Sequence, residues 1–182
     1  MCVEEGVDAI GVNFVPGSSR RIDVARAREI ADAVGEGALV VGIVADLDVA
    51  TMVDVRARSA VGCLQLHGAE PPDALSPLLP HAYKALRASD IAREAEYGGV
   101  YILVDGETPG GGRAFDWSIV QAIAKRRKLT IAGGLHAGNV AEAIRTAFPY
   151  CVDAASGVEV VGDPRRKDRA RIRAFVRAAR EL

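Results

Sequence analysis

A parallel α/β barrel of the (βα)8 TIM-barrel type, without its first strand, is predicted by three observations. Seven short runs, at 9–15, 39–45, 62–66, 83–86, 100–104, 129–132 and 151–155, are mostly near-continuously apolar rather than alternating. Strands buried on both faces read this way. Amphipathic stretches fall between runs, one strand-helix unit every 20 to 30 residues, which requires parallel strands joined by helical crossovers. Polar residues and glycines follow nearly every run, as in the ring of loops at the carboxyl face of a barrel.

Taken in order, Gly6 looks like the glycine that ends a helix, and the first run begins at Ala9. A barrel of this type begins with a strand, and none stands before Gly6, so residues 1–182 read as one amino-terminally incomplete barrel domain of seven strands. Asp23 can cap a helix over 24–34, where Val24, Ala27, Ile30, Ala31 and Val34 repeat at helical spacing. Asp48 can cap 49–58, and Asp116 can cap 117–126. Asn139 or Gly138 opens 140–147. The last helix, about 168–181, carries an apolar stripe of Ile172, Phe175, Val176 and Ala179, with its arginines on the solvated face. An open dinucleotide-binding sheet is the competing fold, but no Gly-x-Gly-x-x-Gly follows the first run.

Composition narrows the function classes. The 23 Lys and Arg nearly balance the 24 Asp and Glu, so no field favours nucleic acid or an anionic membrane. Aromatic residues are 5% of the chain, too few for an RNA stacking platform. No apolar run approaches the roughly 20 residues that cross a bilayer. The start has neither the basic residues nor the apolar core of a signal peptide, so a cytoplasmic protein is expected. Cys2, Cys63 and Cys151 are too widely spaced for a zinc site or disulfide framework; Cys63 and Cys151 are expected to be small buried hydrophobes.

Candidate chemistry gathers after the runs. Gly133-Gly134 and Ser156-Gly157 each follow a late strand, where backbone N–H groups can approach an anion and a following helix adds positive potential. In barrels the last two strand-helix loops often bind phosphate; the alternative is that these glycines only make tight turns. Gly110-Gly111-Gly112-Arg113 suits a ligand-covering loop, the alternative being a flexible linker. Asp105 ends the run at 100–104, a poor place for packing and a good one for catalysis. Partial desolvation there suits a carboxyl to general acid work, the alternative being a loop cap. Gln65-Leu66-His67-Gly68 ends another strand, and His67 either contacts ligand or satisfies backbone groups of its loop. His81 and His136 read as surface or loop residues. Arg20, after the first run, could pair bidentately with a substrate carboxylate or be a solvated charge.

The ordered set of motifs resembles the phosphoribosylanthranilate isomerase family. The matches are 11–14 with Ser19-Arg20-Arg21-Ile22, Val41-Gly42-Ile43-Val44, Gln65-Leu66-His67-Gly68, Lys84-Ala85 and Leu103-Val104-Asp105. They continue with the glycine run and Phe115-Asp116-Trp117, Ala132-Gly133-Gly134-Leu135 with Asn139-Val140, 152–159, and Lys167-Asp168. The resemblance implies an Amadori rearrangement of N-(5-phosphoribosyl)anthranilate without metal or cofactor, by a monomer or homodimer. It implies Asp105 as the acid protonating the ribose ring oxygen and Arg20 on the anthranilate carboxylate. It assigns the loops at Gly111-Gly112, Gly133-Gly134 and Ser156-Gly157 to the phosphate amides; Gln65 and His67, at their strand end, are expected to bind substrate as well. The family opens with a strand ending Lys-x-Cys-Gly, whose cysteine is the general base; residues 1–182 hold no counterpart, and Cys2 aligns within the first helix. Gly110-Gly111-Gly112-Arg113 replaces the usual Gly-Gly-Thr-Gly, and Arg21 replaces a tyrosine. Two other functions compete: a non-catalytic barrel that binds a phosphorylated ligand, and a related sugar-phosphate isomerase or synthase.

Overall fold

A computed structural model of the chain describes residues 1–106 and 114–181. The fold is α/β, the seven-stranded form of the (βα)-barrel type, with parallel strands in sequence order, β1 to β7. Two compact units, Met1–Lys84 and Ala85–Leu182, divide the chain.

In the first unit, β1 (Ala9–Asn13), β2 (Leu39–Val44), β3 (Cys63–Leu66) and the start of β4 (Ala82–Arg87) pair in parallel. The turn ending at Gly6 is a short 3-10 helix, Val3–Glu5, closed by the left-handed φ of 78° at that glycine. The crossovers are α1 (Val24–Val34) and α2 (Val49–Ser59). Both expected caps form: Asp23 accepts from Arg26 N at 2.7 Å and Asp48 from Thr51 N at 2.8 Å. Val44, Met52, Leu64 and Leu66 are wholly excluded from solvent. Burial of each such side chain is worth about 1.5–3 kcal/mol, which ties the helices to the sheet. A short helix, α3 (Pro72–Leu75), leads towards β4.

In the second unit, β5 (Ile102–Asp105), β6 (Leu129–Ile131) and β7 (Cys151–Val152) pair in parallel. A 3-10 helix, Ala88–Tyr97, lies ahead of β5. The helix expected over 117–126 is instead a 3-10 turn, Trp117–Val120, running into α4 (Gln121–Ala124). Asp116 caps it tightly through Ser118 N, and the β-branched Ile119 and Val120 weaken α-helical continuation. α5 (Val140–Ala147) buries Val140, Ala143 and Ala147, and α6 (Arg169–Arg180) buries Ile172 and Phe175. The α6 arginines are exposed, as expected. A hairpin of β8 (Glu159–Val160) and β9 (Asp163–Lys167) precedes α6.

Two cysteine expectations are corrected. Cys151 is exposed, because it opens a two-residue strand whose one neighbour in the sheet is β6, and Cys63 is half-buried at the start of β3. Burial pushes the Cys63 thiol up. Among the described residues, no helix is long and apolar enough to cross a membrane.

Candidate active site

Parallel strands place all their carboxyl ends on one side of a sheet, so a polar residue just after each apolar run becomes a neighbour of the next such residue. In the first unit these positions carry Arg20 and His67. The loop after β1 is folded back by Asn13, whose Oδ1 accepts from Val15 N at 2.8 Å and whose carbonyl accepts from Ile22 N at 2.9 Å. Arg20 stands in that loop, half-buried, its amide donating to Ser18 Oγ at 3.2 Å. His67 is fixed to the end of β2 by its backbone N–H on Val44 O at 2.8 Å. Its ring meets the Gln65 amide, which in turn accepts from the Tyr83 hydroxyl at 2.6 Å. Desolvation and the Lys84 ammonium lower the His67 pKa to about 4, Glu70 opposing them. The imidazole is therefore neutral at physiological pH.

Beneath this strand end lies a polar cluster that the sequence did not suggest. Lys84 donates to Leu66 O at 3.1 Å, Gly68 O at 2.6 Å and Glu70 Oε2 at 2.9 Å, using all three protons of its ammonium. The signal was a lysine inside an apolar strand, which must find a carboxylate if both its faces are covered. A separate cavity of about 270 Å³, lined largely by apolar side chains including Phe14, Val24, Val44 and Leu47, contains none of the candidate site residues.

In the second unit the structure sets Asp105 beside Gly133, and sets Gly157 against the loop that follows Gly133-Gly134. Asp105 is buried at the end of β5, and its Oδ1 accepts from Gly106 N at 2.8 Å. Gly133 sits beside it: a Cβ there would lie 2.8 Å from Asp105 Oδ1 and 2.4 Å from Gly106 N. Its φ of 83° is also left-handed, so only glycine fits on both counts. Gly157 approaches the next loop as closely, since a Cβ would fall 2.0 Å from Leu135 O. Asn139 braces this loop rather than capping α5: its Oδ1 accepts from His136 N at 2.8 Å and its Nδ2 donates to Gly134 O at 3.0 Å. Ser156 opens the 3-10 turn Ser156–Val158 that carries Gly157. Gly133→Ala is expected to cost about 1–3 kcal/mol of stability, from the strained φ and the backbone overlap. Urea unfolding measures it, and an unchanged midpoint would show that the loop rearranges freely.

Asp153 is a further carboxylate that sequence reasoning did not single out. It follows β7, its N–H bonded to Ile131 O at 2.9 Å. It keeps an exposed face yet is closely surrounded, and desolvation raises its pKa above the ordinary range, Lys167 and the Ala154 amide opposing. Lys167 itself is held by Ala155 O and Glu159 Oε1, both at 3.0 Å. The glycine run 110–112, with the candidate residues Gly111 and Gly112, lies outside the described residues. His81 and His136 are exposed. Among the described residues, no group of three or more His, Cys, Asp or Glu side chains is placed to hold a metal ion.

Comparison with known proteins gives the family and the fold. Residues 1–178 match the family model described as N-(5'-phosphoribosyl)anthranilate (PRA) isomerase. A relative from Myxococcus xanthus, named N-(5'-phosphoribosyl)anthranilate isomerase, is 40% identical over 190 aligned residues, covering 98% of this chain and 89% of the relative. The crystal structure of phosphoribosylanthranilate isomerase from Thermotoga maritima superposes with a TM-score of 0.91 at 33% identity, covering 100% of this chain and 92% of that one. A second structure of such an isomerase, in complex with reduced 1-(o-carboxyphenylamino)-1-deoxyribulose 5-phosphate, gives 0.89 at 32% identity, covering 100% and 91%. The chain belongs to the N-(5'-phosphoribosyl)anthranilate isomerase family.

Proposed function

We propose that this chain is a cytoplasmic enzyme of tryptophan biosynthesis. It isomerises N-(5-phosphoribosyl)anthranilate to 1-(2-carboxyphenylamino)-1-deoxyribulose 5-phosphate. The observation that carries the reading is the buried Asp105 carboxyl set against Gly133 in the loop after β6. In the reaction, Asp105 gives its proton to the ribose ring oxygen as the C1–O bond breaks, leaving an open-chain iminium that keeps the N–H of the anthranilate nitrogen. Loss of the C2 proton to a base forms an enolamine, and its tautomerisation yields the ketose. The rearrangement moves protons only within substrate and protein, so no external oxidant or reductant enters.

Arg20 holds the anthranilate carboxylate, and His67 contacts the sugar phosphate. The amides of Gly133, Gly134 and Gly157, with Ser156, receive the phosphate, aided by Gly111 and Gly112. The family's base cysteine has no counterpart in residues 1–182. Cys63 and Cys151 open their strands, at the ends opposite to those that carry His67 and Asp105. The second reading is a barrel that binds the phosphorylated ligand without turning it over.

The loss of phosphoribosylanthranilate fluorescence, against an enzyme-free control, decides between the two readings. Turnover establishes the isomerase. No turnover from folded chain that still binds the reduced product analogue would establish the binding barrel. Arg20→Ala is expected to raise KM, or the Kd of that analogue, by about tenfold to a hundredfold, the worth of a hydrogen bond to a charged group. An unchanged value would sink the carboxylate assignment.

A further inference from the structure

We infer that Tyr83 and Gln65 are positioning residues that fix the tautomer of His67, its proton on Nδ1, so that the ring offers ligand an N–H donor. The inference rests on the assignment of His67 to ligand contact made above.

Strand geometry puts these three side chains together. Gln65 on β3 and Tyr83 on β4 are register partners, so they emerge side by side on one face of the sheet. His67, two residues beyond Gln65, emerges on the same face. The Tyr83 hydroxyl donates to Gln65 Oε1 at 2.6 Å, which turns the amide nitrogen towards His67 Nε2. An amide NH2 group donates and does not accept. His67 Nε2 must therefore present its lone pair, and the proton of the neutral ring resides on Nδ1.

The same contact opposes an imidazolium, because a protonated Nε2 would face the NH2 group donor to donor. Burial acts in the same direction, and so does the Lys84 ammonium on the other face of β4. The Glu70 carboxylate acts on the ring in the opposite sense, and its Oε2 is engaged by Lys84. His67 thus serves as a donor to an oxygen of the sugar phosphate and is ill suited to take the C2 proton.

The test is the histidine-ring nitrogen spectrum of the full-length 15N-labelled chain, assigned by substituting His81 and His136 in turn. The expected spectrum shows His67 Nε2 as the unprotonated nitrogen and Nδ1 as the protonated one. Tyr83→Phe removes the group that orients the amide and is expected to give a mixture of tautomers. Gln65→Glu places an acceptor on Nε2 and is expected to move the proton there. A proton on Nε2 in the unaltered chain, or tautomers unmoved in both variants, would overturn the inference. Tyr83→Phe is also expected to weaken binding of the reduced product analogue by about two- to tenfold, the range of one hydrogen bond. If His67→Ala binds the analogue as well as the unaltered chain, the ligand role of His67 falls, whatever the tautomer.

Discussion

Asp105→Asn is expected to lower turnover about 10²- to 10⁴-fold, the usual contribution of a positioned general acid, with analogue affinity nearly unchanged. Asparagine has the size of aspartic acid and retains an Oδ1 to accept from Gly106 N, so the contact with Gly133 survives. What it loses is a proton to give. The ribose ring opens only if its oxygen is protonated as the C–O bond lengthens, so the deficit lies in the transition state. The kinetic signature is an equal fall in kcat and kcat/KM, with KM held. Fluorescence decay gives the rates, and calorimetric titration with the reduced product analogue gives the affinity. Surviving turnover would remove Asp105 from the acid role. An affinity that falls as far as the rate would make Asp105 a ground-state contact instead.

Much of the strand pattern behind the candidate site was legible because a strand announces its own end. Residues buried on both faces are apolar, and the first polar residue after them marks the carboxyl side, as Asp105 does after Val104 and His67 after Leu66. Cap chemistry was legible for the same local reason: Asp23, Asp48 and Asp116 each accept from an amide two or three residues on. Features that depend on non-local partners were not. Asn139 opens α5 as expected, but its side chain ties its loop to Gly134 O instead of bonding the helix amides. The run at 151–155 shortens to two paired residues, since β6 offers three and, among the described residues, β7 has no other neighbour in the sheet. The hairpin of β8 and β9 was invisible because Asp163-Pro164-Arg165-Arg166-Lys167 has no apolar alternation and carries a proline, tolerable on an edge.

Lys84 is the clearest such case, hidden in an apolar run and engaged with groups 14 to 18 residues away. Its side chain is 1% exposed and that of Glu70 3%. Glu70 Oε1 accepts from Asp46 N at 2.7 Å and Gly68 N at 3.2 Å, while Asp46 Oδ1 accepts from Ala69 N at 2.7 Å. Two opposite charges thereby join the end of β2, the loop after β3 and the middle of β4. Lys84→Met is expected to destabilise the fold by about 3–5 kcal/mol, because it strands a buried carboxylate rather than merely deleting an attraction. Glu70→Gln should also destabilise, by leaving the ammonium without its counter-charge. The double variant removes both charges, so it should be less destabilised than the two losses combined, with a coupling of about 0.5–3 kcal/mol. Urea unfolding of the four proteins closes the cycle. Single losses below about 1 kcal/mol, additive in the double variant, would show that water reaches the pair and screens it as at a surface. A strongly coupled cycle would mean that the two charges act as one buried unit, tying the loop of Gly68 and Glu70 to β4 just beyond His67.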